Sequence, residues 1–189
     1  MNESFRERSS YRTGFFAWFG LHSALAAFIV WRLHPPILPV RENAAIGSVA
    51  WGLAGGVALL LVTLANPWIY FKALGQVSPR VIAPRLAFFL INSIAEEIVW
   101  RGGPLSVRAT VPFFAAVMVS TIGFAAFHIL PHGLRGFRFH IGTGIFFSVL
   151  AYATGGILAP VIAHLAYNAA MLGKPILPDR SSAAAAPCS

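Results

Sequence analysis

Six long apolar stretches, each close to the length needed to cross a lipid bilayer, run through most of the 189-residue chain. A spanning helix needs about 20 mostly apolar residues, and little sequence is left over for a separate soluble domain. We therefore expect an all-α protein, a polytopic transmembrane helix bundle of about six spans that forms one domain over 1–189. The predicted spans are 14–31, 44–70, 81–100, 111–130, 139–153 and 156–172.

Composition and charge agree with residence in a membrane. Hydrophobic residues make up 57% of the chain and charged residues 11%, whereas an average soluble domain is about 25% charged. The net charge is +8, but the basic residues are scattered between the apolar stretches. That distribution is typical of the flanks of membrane spans and not of a nucleic-acid-binding patch. We expect membrane lipids as partners and no nucleic acid.

The Lys and Arg residues also predict an orientation. With the N-terminus inside, the inner segments carry ten of these residues and the outer segments carry four, so both termini are expected in the cytoplasm. Residues 1–13 then form a cytoplasmic tail and residues 174–189 a disordered one. Small size and a preference for Arg over Lys suggest a bacterial cytoplasmic membrane. Ala24-Leu25-Ala26 could belong to a cleaved signal peptide, but the apolar run continues to Trp31, which favours an uncleaved anchor.

Two adjacent glutamates at the end of the third stretch stand apart from the other four acids, which lie in tails or in a polar loop. Ionisable side chains at membrane depth are expensive and usually functional. Successive helical residues point about 100° apart, so Glu96 and Glu97 face different directions. Glu97 lies one turn before Arg101, the favourable order for an ion pair. Glu96 shares its face with Asn92 and is available as a general base, unless both acids are simply solvated at the interface.

Two later helices each place a histidine in a one-turn pair. His128 follows Phe124 by four residues, and Asn168 follows His164 by four. Two neutral donors on one face can stabilise an oxyanion, although an interhelical hydrogen bond would use the same pair. Polar faces of membrane helices tend to converge on the interior of a bundle, so one shared site with Glu96 is expected. Three further histidines are interpreted as structural: His22, His132 and His140.

Several catalytic schemes are excluded because the residues are missing. The chain has no His-Glu-x-x-His zinc helix and no Gly-x-Ser-x-Gly elbow. Its single Asp, Asp179, lies in the tail, which excludes a Ser-His-Asp triad and an aspartyl dyad. Its single cysteine, Cys188, rules out an internal disulfide and a Cys-based zinc site.

Three motifs resemble the signatures of one protease family. Glu-Glu-x-x-x-Arg at 96–101, Phe-x-x-x-His at 124–128 and His-x-x-x-Asn at 164–168 occur in the order and spacing of the CPBP intramembrane proteases. This family is also called Abi, or CAAX protease and bacteriocin-processing, and it includes the type II CAAX prenyl endopeptidases. The resemblance covers about 85–172. Trp100, where the family often has Phe, and Gly103-Pro104 depart from the pattern.

The resemblance implies an α-helical intramembrane endopeptidase, with its catalytic core in 85–172, that hydrolyses a bond in a peptide or membrane-protein substrate. Glu96 and His128 would then activate the attacking water, and His164 and Asn168 would stabilise the oxyanion. Glu97 and Arg101 would brace the site. No cofactor is expected under this glutamate mechanism. Zinc stays an alternative, with Glu96, His128 and His164 as its ligands.

Two other functions remain open. A non-proteolytic family member could act as a membrane binding, immunity or scaffold protein. Glu and His residues at membrane depth also serve proton relays and transporters, but the helices broken at matching positions that mark many transporters are not evident in the sequence.

Overall fold

The structure is a computed structural model and describes residues 3–35, 44–64, 72, 78–107 and 109–172. Within these ranges every regular element is helical and no strand occurs, which confirms the all-α prediction. In chain order the elements are α1 (Glu3–Leu33), α2 (Ala44–Thr63), α3 (Pro79–Glu97), a π-helical turn (Ile98–Gly102), α4 (Gly103–Ser106), α5 (Phe113–Phe127), α6 (Ile129–Thr154) and α7 (Leu158–Met171).

The helix boundaries differ from the predicted spans at several places. Helix α1 begins at Glu3, so most of the predicted N-terminal tail is helical. Helix α2 ends at Thr63, and residues 65–70 of the second predicted span lie outside the described residues. They include Asn66-Pro67, where the proline predicts a kink or a stop. The predicted disordered tail at 174–189 lies outside the described residues as well.

Helix α6 begins ten residues before the predicted span, at Ile129 rather than at 139. Its first turn is broken at Gly133, whose φ of 64° and ψ of −174° are not helical, and the helix then continues to Thr154. Gly155 follows with a φ of 71°, the left-handed conformation in which glycine commonly ends a helix. By sequence, Gly155-Gly156 predicts either a tight turn or a break within the membrane, and the structure has a tight turn between α6 and α7.

One described helix, over Ala45–Thr63, is long and apolar enough to cross a membrane when judged by length and composition. Three shorter apolar helices lie at Ala17–Leu33, Phe113–Phe127 and Leu158–Met171. The six-span arrangement is therefore a proposal.

The helices pack most extensively in two pairs, α2 with α7 and α5 with α6, while α3 contacts both α7 and α1. Gly52 and Gly56 form a small-xxx-small pair, which predicts a helix contact in lipid, and they bring α2 close to α7. A Cβ atom on Gly52 would lie 2.7 Å from the Ala159 carbonyl oxygen, and one on Gly56 would lie 2.8 Å from the Ala166 Cβ. This packing fixes the position of α7, the helix that carries His164 and Asn168.

The end of α3 lies at the centre of this arrangement. Ala95 and Ile98, on either side of the glutamates in sequence, belong to a buried apolar cluster that also includes Ala26 of α1 and Ala151 of α6. The packing of these apolar residues therefore fixes the position of the two carboxylates, which lie on a helix and not on a solvent-exposed loop.

Candidate active site

Glu96 and Glu97 are the last two residues of α3, and both side chains are buried. The chain continues directly into the π-helical turn, in which the Gly103 amide donates to the Ile98 carbonyl five residues before it. Such turns are rare and are often found at functional sites. Arg101 lies within the turn, and its Nη1 is 3.3 Å from Oε1 of Glu97. The pair predicted from the i, i+4 spacing is therefore formed.

Arg101 is held on several sides although it is almost fully buried. Its Nη2 donates to the carbonyl oxygen of Gly144 on α6 at 3.3 Å. The guanidinium also lies over the ring of Phe124, 4.3 Å from its centroid, and 5.4 Å from that of Phe147. Cation–π contacts of this kind stabilise a desolvated cation. Arg101 thus connects the π-helical turn to α5 and α6.

Glu96 points to a different set of partners. Asn92, one turn earlier, donates from Nδ2 to Oε1 of Glu96 at 2.6 Å. Nε2 of His128 is 3.8 Å from that same oxygen, and Nε2 of His164 is 3.5 Å from Oε2. Oε2 is buried and accepts no hydrogen bond from any described residue. Oε1 therefore orients the carboxylate and lies nearest His128, while Oε2 faces His164 with its hydrogen-bonding capacity unused.

His128 directly follows α5, and its ring orientation is set by its own helix. Nδ1 lies 2.8 Å from the Phe124 carbonyl oxygen, to which it must donate because a carbonyl only accepts. In the neutral ring, Nε2 is then the unprotonated nitrogen and faces Glu96. The His128 ring also packs on Phe124, with 4.3 Å between centroids.

His164 lies between the two glutamates. Nδ1 donates to Oε1 of Glu97 at 2.8 Å, and Nε2 lies 3.5 Å from Oε2 of Glu96. Its ring is stacked on Phe147, with centroids 4.9 Å apart. Asn168, one turn later, donates from Nδ2 to the Ser93 hydroxyl at 3.1 Å. The structure thus brings all six predicted site residues together, and it gives Glu97 a second partner that helix spacing did not reveal.

A cavity of about 940 Å³ adjoins this cluster. Glu96, His128, His164 and Asn168 line it, whereas Glu97 and Arg101 are not among its described lining residues. Most of the remaining wall is apolar and is built from α2, α3, α6 and α7 by residues such as Leu59, Phe88, Phe89, Phe139, Phe147 and Met171. The cavity therefore offers an apolar space that ends at Glu96 and the two imidazoles.

Sequence reasoning missed His140, which also lines the cavity. Its ring is stacked on that of His128, with 3.8 Å between centroids and 19° between planes. His140, Thr143 and Phe147 are spaced three and four residues apart, which places them on one helix face. This stripe lies within the predicted span 139–153 and is the signal that could have identified His140.

The zinc alternative requires Glu96, His128 and His164 to converge on one metal ion. Among the ranges that the structure describes, no group of three or more His, Cys, Asp or Glu side chains is placed to hold one. Glu96, His128 and His164 approach one another at 3.5 and 3.8 Å without forming such a group. Both the glutamate mechanism and its zinc alternative stay predictions.

Fold and site together define a helical protein with a buried carboxylate–imidazole cluster at the end of an apolar cavity. Residues 78–170 match the family described as type II CAAX prenyl endopeptidase, Rce1-like, and over this region the chain belongs to that family. The region is about half of the chain and contains all six predicted site residues. The family is membrane-associated, and membership supports a protease of the CAAX endopeptidase type in general.

One curated relative is itself uncharacterized. The chain is 26% identical over 154 residues to an uncharacterized 24.3 kDa protein of Escherichia coli, which covers 75% of this chain and 70% of that protein. No solved structure matches the chain with significant similarity.

Proposed function

We propose that this protein is an intramembrane endopeptidase in which Glu96 activates a water molecule for attack on a peptide bond. The observation that carries the proposal is the second carboxylate oxygen of Glu96, which is buried, lacks a hydrogen-bond donor among the described residues and lies 3.5 Å from an imidazole nitrogen. It belongs to a side chain that lines the cavity. A prenylated CAAX peptide or a membrane-protein segment is the proposed substrate.

The chemistry follows from the positions of the polar atoms. A water between Glu96 and His128 gives its proton to the carboxylate or to Nε2 of the imidazole as its oxygen attacks the scissile carbonyl. The carbonyl oxygen becomes an oxyanion, to which Nδ2 of Asn168 donates from α7. A donor role for Nε2 of His164 requires a second proton on that ring, because the Nδ1 proton already bonds Glu97. The proton taken from water then passes to the departing amine.

The outer surface supports a polytopic arrangement in lipid. Large apolar side chains are exposed on α1, α2, α3 and α5, among them Trp31, Ile46, Trp51, Val62, Phe114 and Val119. Apolar surface of this extent is unusual on a soluble monomer and suits contact with acyl chains. The shorter apolar helices then serve as spans next to α2, in a bacterial cytoplasmic membrane with both termini in the cytoplasm.

The decisive test is the Glu96→Gln variant, assayed in proteoliposomes with an internally quenched, prenylated CAAX peptide. We expect kcat to fall by about 100-fold or more, since general-base catalysis typically contributes 10² to 10⁴, while the thermal unfolding midpoint stays close to that of the wild type. Glu7→Gln, which removes the same charge near the start of α1, is the matched control and should be fully active. Full activity of Glu96→Gln would contradict the mechanism.

The cofactor proposal has a separate test. We expect the purified protein to contain far less than one zinc ion per chain and to keep its activity in a chelator, because the glutamate mechanism needs no metal. Elemental analysis and a chelator titration measure this. One zinc per chain that is lost in His128→Ala and His164→Ala would instead favour the metal mechanism.

A further inference from the structure

Helix α1 lies outside the region matched by the family, yet it reaches the site. Trp18 lines the cavity, and its ring meets that of His128 edge-on, with centroids 5.6 Å apart. His22, one turn later, is fully buried. By sequence, His22 is interpreted as structural, because no acidic residue lies in the same apolar stretch.

Both nitrogens of His22 are used in hydrogen bonds. Nδ1 lies 3.1 Å from the Trp18 carbonyl oxygen, to which it donates. Nε2 accepts from the indole Nε1–H of Trp100 at 3.0 Å. This pair of bonds fixes the neutral tautomer with the proton on Nδ1. It also joins α1 directly to the π-helical turn, because Trp100 lies within that turn.

Trp100 is enclosed on its other sides as well. A Cβ atom on Gly123 of α5 would clash with Cζ3 of the indole, so α5 approaches the ring as closely as glycine permits. Phe127 meets the ring edge-on, with centroids 5.1 Å apart. The Ser120 hydroxyl donates to the Trp100 carbonyl oxygen. The indole and its carbonyl thus locate the turn between α1 and α5.

The turn held in this way directly follows the glutamates and contains Arg101. Trp100 precedes Arg101 directly and follows Glu96 by four residues, so a shift of the indole displaces both halves of the site. We propose that His22 is a positioning residue, which accepts the Trp100 hydrogen bond and thereby holds the π-helical turn in the geometry that Glu96, Glu97 and Arg101 require. This inference rests on the proposed peptidase function.

The test compares His22→Leu, His22→Gln, Trp100→Phe and the double variant His22→Leu/Trp100→Phe on the prenylated peptide. Small displacements at a catalytic site cost on the order of 10²-fold in rate, so we expect kcat to fall about 10- to 100-fold in His22→Leu, with KM within about twofold. His22→Gln keeps an acceptor and should regain most of the rate. The double variant should be no slower than either single variant, since both remove one interaction.

Thr154→Val is the control for the loss of a hydrogen bond outside the π-helical turn, because Thr154 bonds the Leu150 carbonyl at the end of α6. It should keep the wild-type kcat. A wild-type kcat in folded His22→Leu, or losses that add in the double variant, would overturn the proposal. If His22→Leu does not fold, Trp100→Phe and His22→Gln test the same hydrogen bond from its donor and its acceptor side.

Hydrogen–deuterium exchange separates this proposal from the peptidase function. Amides 97–102 should exchange faster in His22→Leu than in the wild type or in Thr154→Val, whether or not the peptide is cleaved. Unchanged exchange there would refute the positioning role. An uncleaved peptide with the expected change in exchange would refute only the proposed function.

Discussion

His164 joins the two glutamates through the two nitrogens of a single ring. Its contacts are 2.8 Å from Nδ1 to Glu97 and 3.5 Å from Nε2 to Glu96. Glu97 therefore has two partners, Arg101 on its own segment and His164 on α7. Protonation of His164 changes the electrostatic potential at both carboxylates. The residues that brace the site and those that face the cavity therefore form one electrostatic unit.

Removal of the Arg101 charge tests the bracing role. Arg101→Met leaves Glu97 buried beside His164 alone, and breaking a buried ion pair typically costs about 3–5 kcal/mol. We expect a loss of that order in the free energy of unfolding, measured by denaturant titration in detergent. The double variant Glu97→Gln/Arg101→Met removes both charges and should recover part of it.

The control for this prediction is Arg138→Met, because Arg138 is exposed on α6. Exposed substitutions usually change stability by less than about 0.5 kcal/mol. A double variant as unstable as Arg101→Met alone would show that the guanidinium acts through its contacts with Gly144 and Phe124 rather than through Glu97.

Local spacing predicted the contacts within one segment and could not predict those between helices. Glu97 with Arg101 and Asn92 with Glu96 are four residues apart, so helical geometry alone brings them together. The Ser93–Asn168 hydrogen bond and the His164–Glu97 contact join α3 to α7, and no pattern along the chain encodes which atoms meet. The family resemblance placed Glu97, His164 and Asn168 in one site without indicating how they pair.

At the scale of elements, the contact of α2 with α7 depends on glycine. Gly52→Ala or Gly56→Ala places a methyl group within 2.8 Å of α7, and overpacking of this kind typically costs about 1–3 kcal/mol. We expect lower unfolding midpoints and a further loss of activity, because α7 carries His164 and Asn168. Thermal unfolding and peptide cleavage measure the two effects.

Gly47→Ala is the matched control in the same helix, since a Cβ atom there meets nothing within 4 Å. In an exposed helix interior, alanine is more favourable than glycine by about 1 kcal/mol. This variant should therefore be as stable as the wild type or slightly more stable. Equal destabilisation at Gly47 and Gly52 would show that helix contact is not the cause.

The existence of the helices was predictable, and several of their boundaries were not. Apolar runs identify helices well, but α6 begins at Ile129 with a polar segment that carries Arg138, so the apolar pattern alone placed its start at residue 139. The π-helical turn could not be predicted from the sequence for another reason. It differs from an α-helix by one residue per turn over five positions, too few to alter an apolar pattern.

At the scale of the whole molecule, the proposed orientation can be tested with the single cysteine. Cys188 is expected on the cytoplasmic side, so a membrane-impermeant maleimide should label it in inside-out vesicles and not in right-side-out ones. The reporter for the opposite side is Thr110→Cys in a Cys188→Ser background, because Thr110 is exposed in the turn before α5. It should show the reverse pattern. Labelling of Cys188 from outside would exclude the proposed topology.

The placement of His164 and Asn168 on the last described helix has a consequence for biosynthesis. A ribosome that has translated the chain as far as α6 has already delivered Glu96, Glu97, Arg101 and His128 to the membrane. The imidazole that joins the glutamates, and the amide beside it, arrive only with α7, which must then dock on the much earlier α2. Under the proposed mechanism, a nascent or stalled chain is therefore unable to cut its neighbours, and proteolytic competence coincides with the completion of folding.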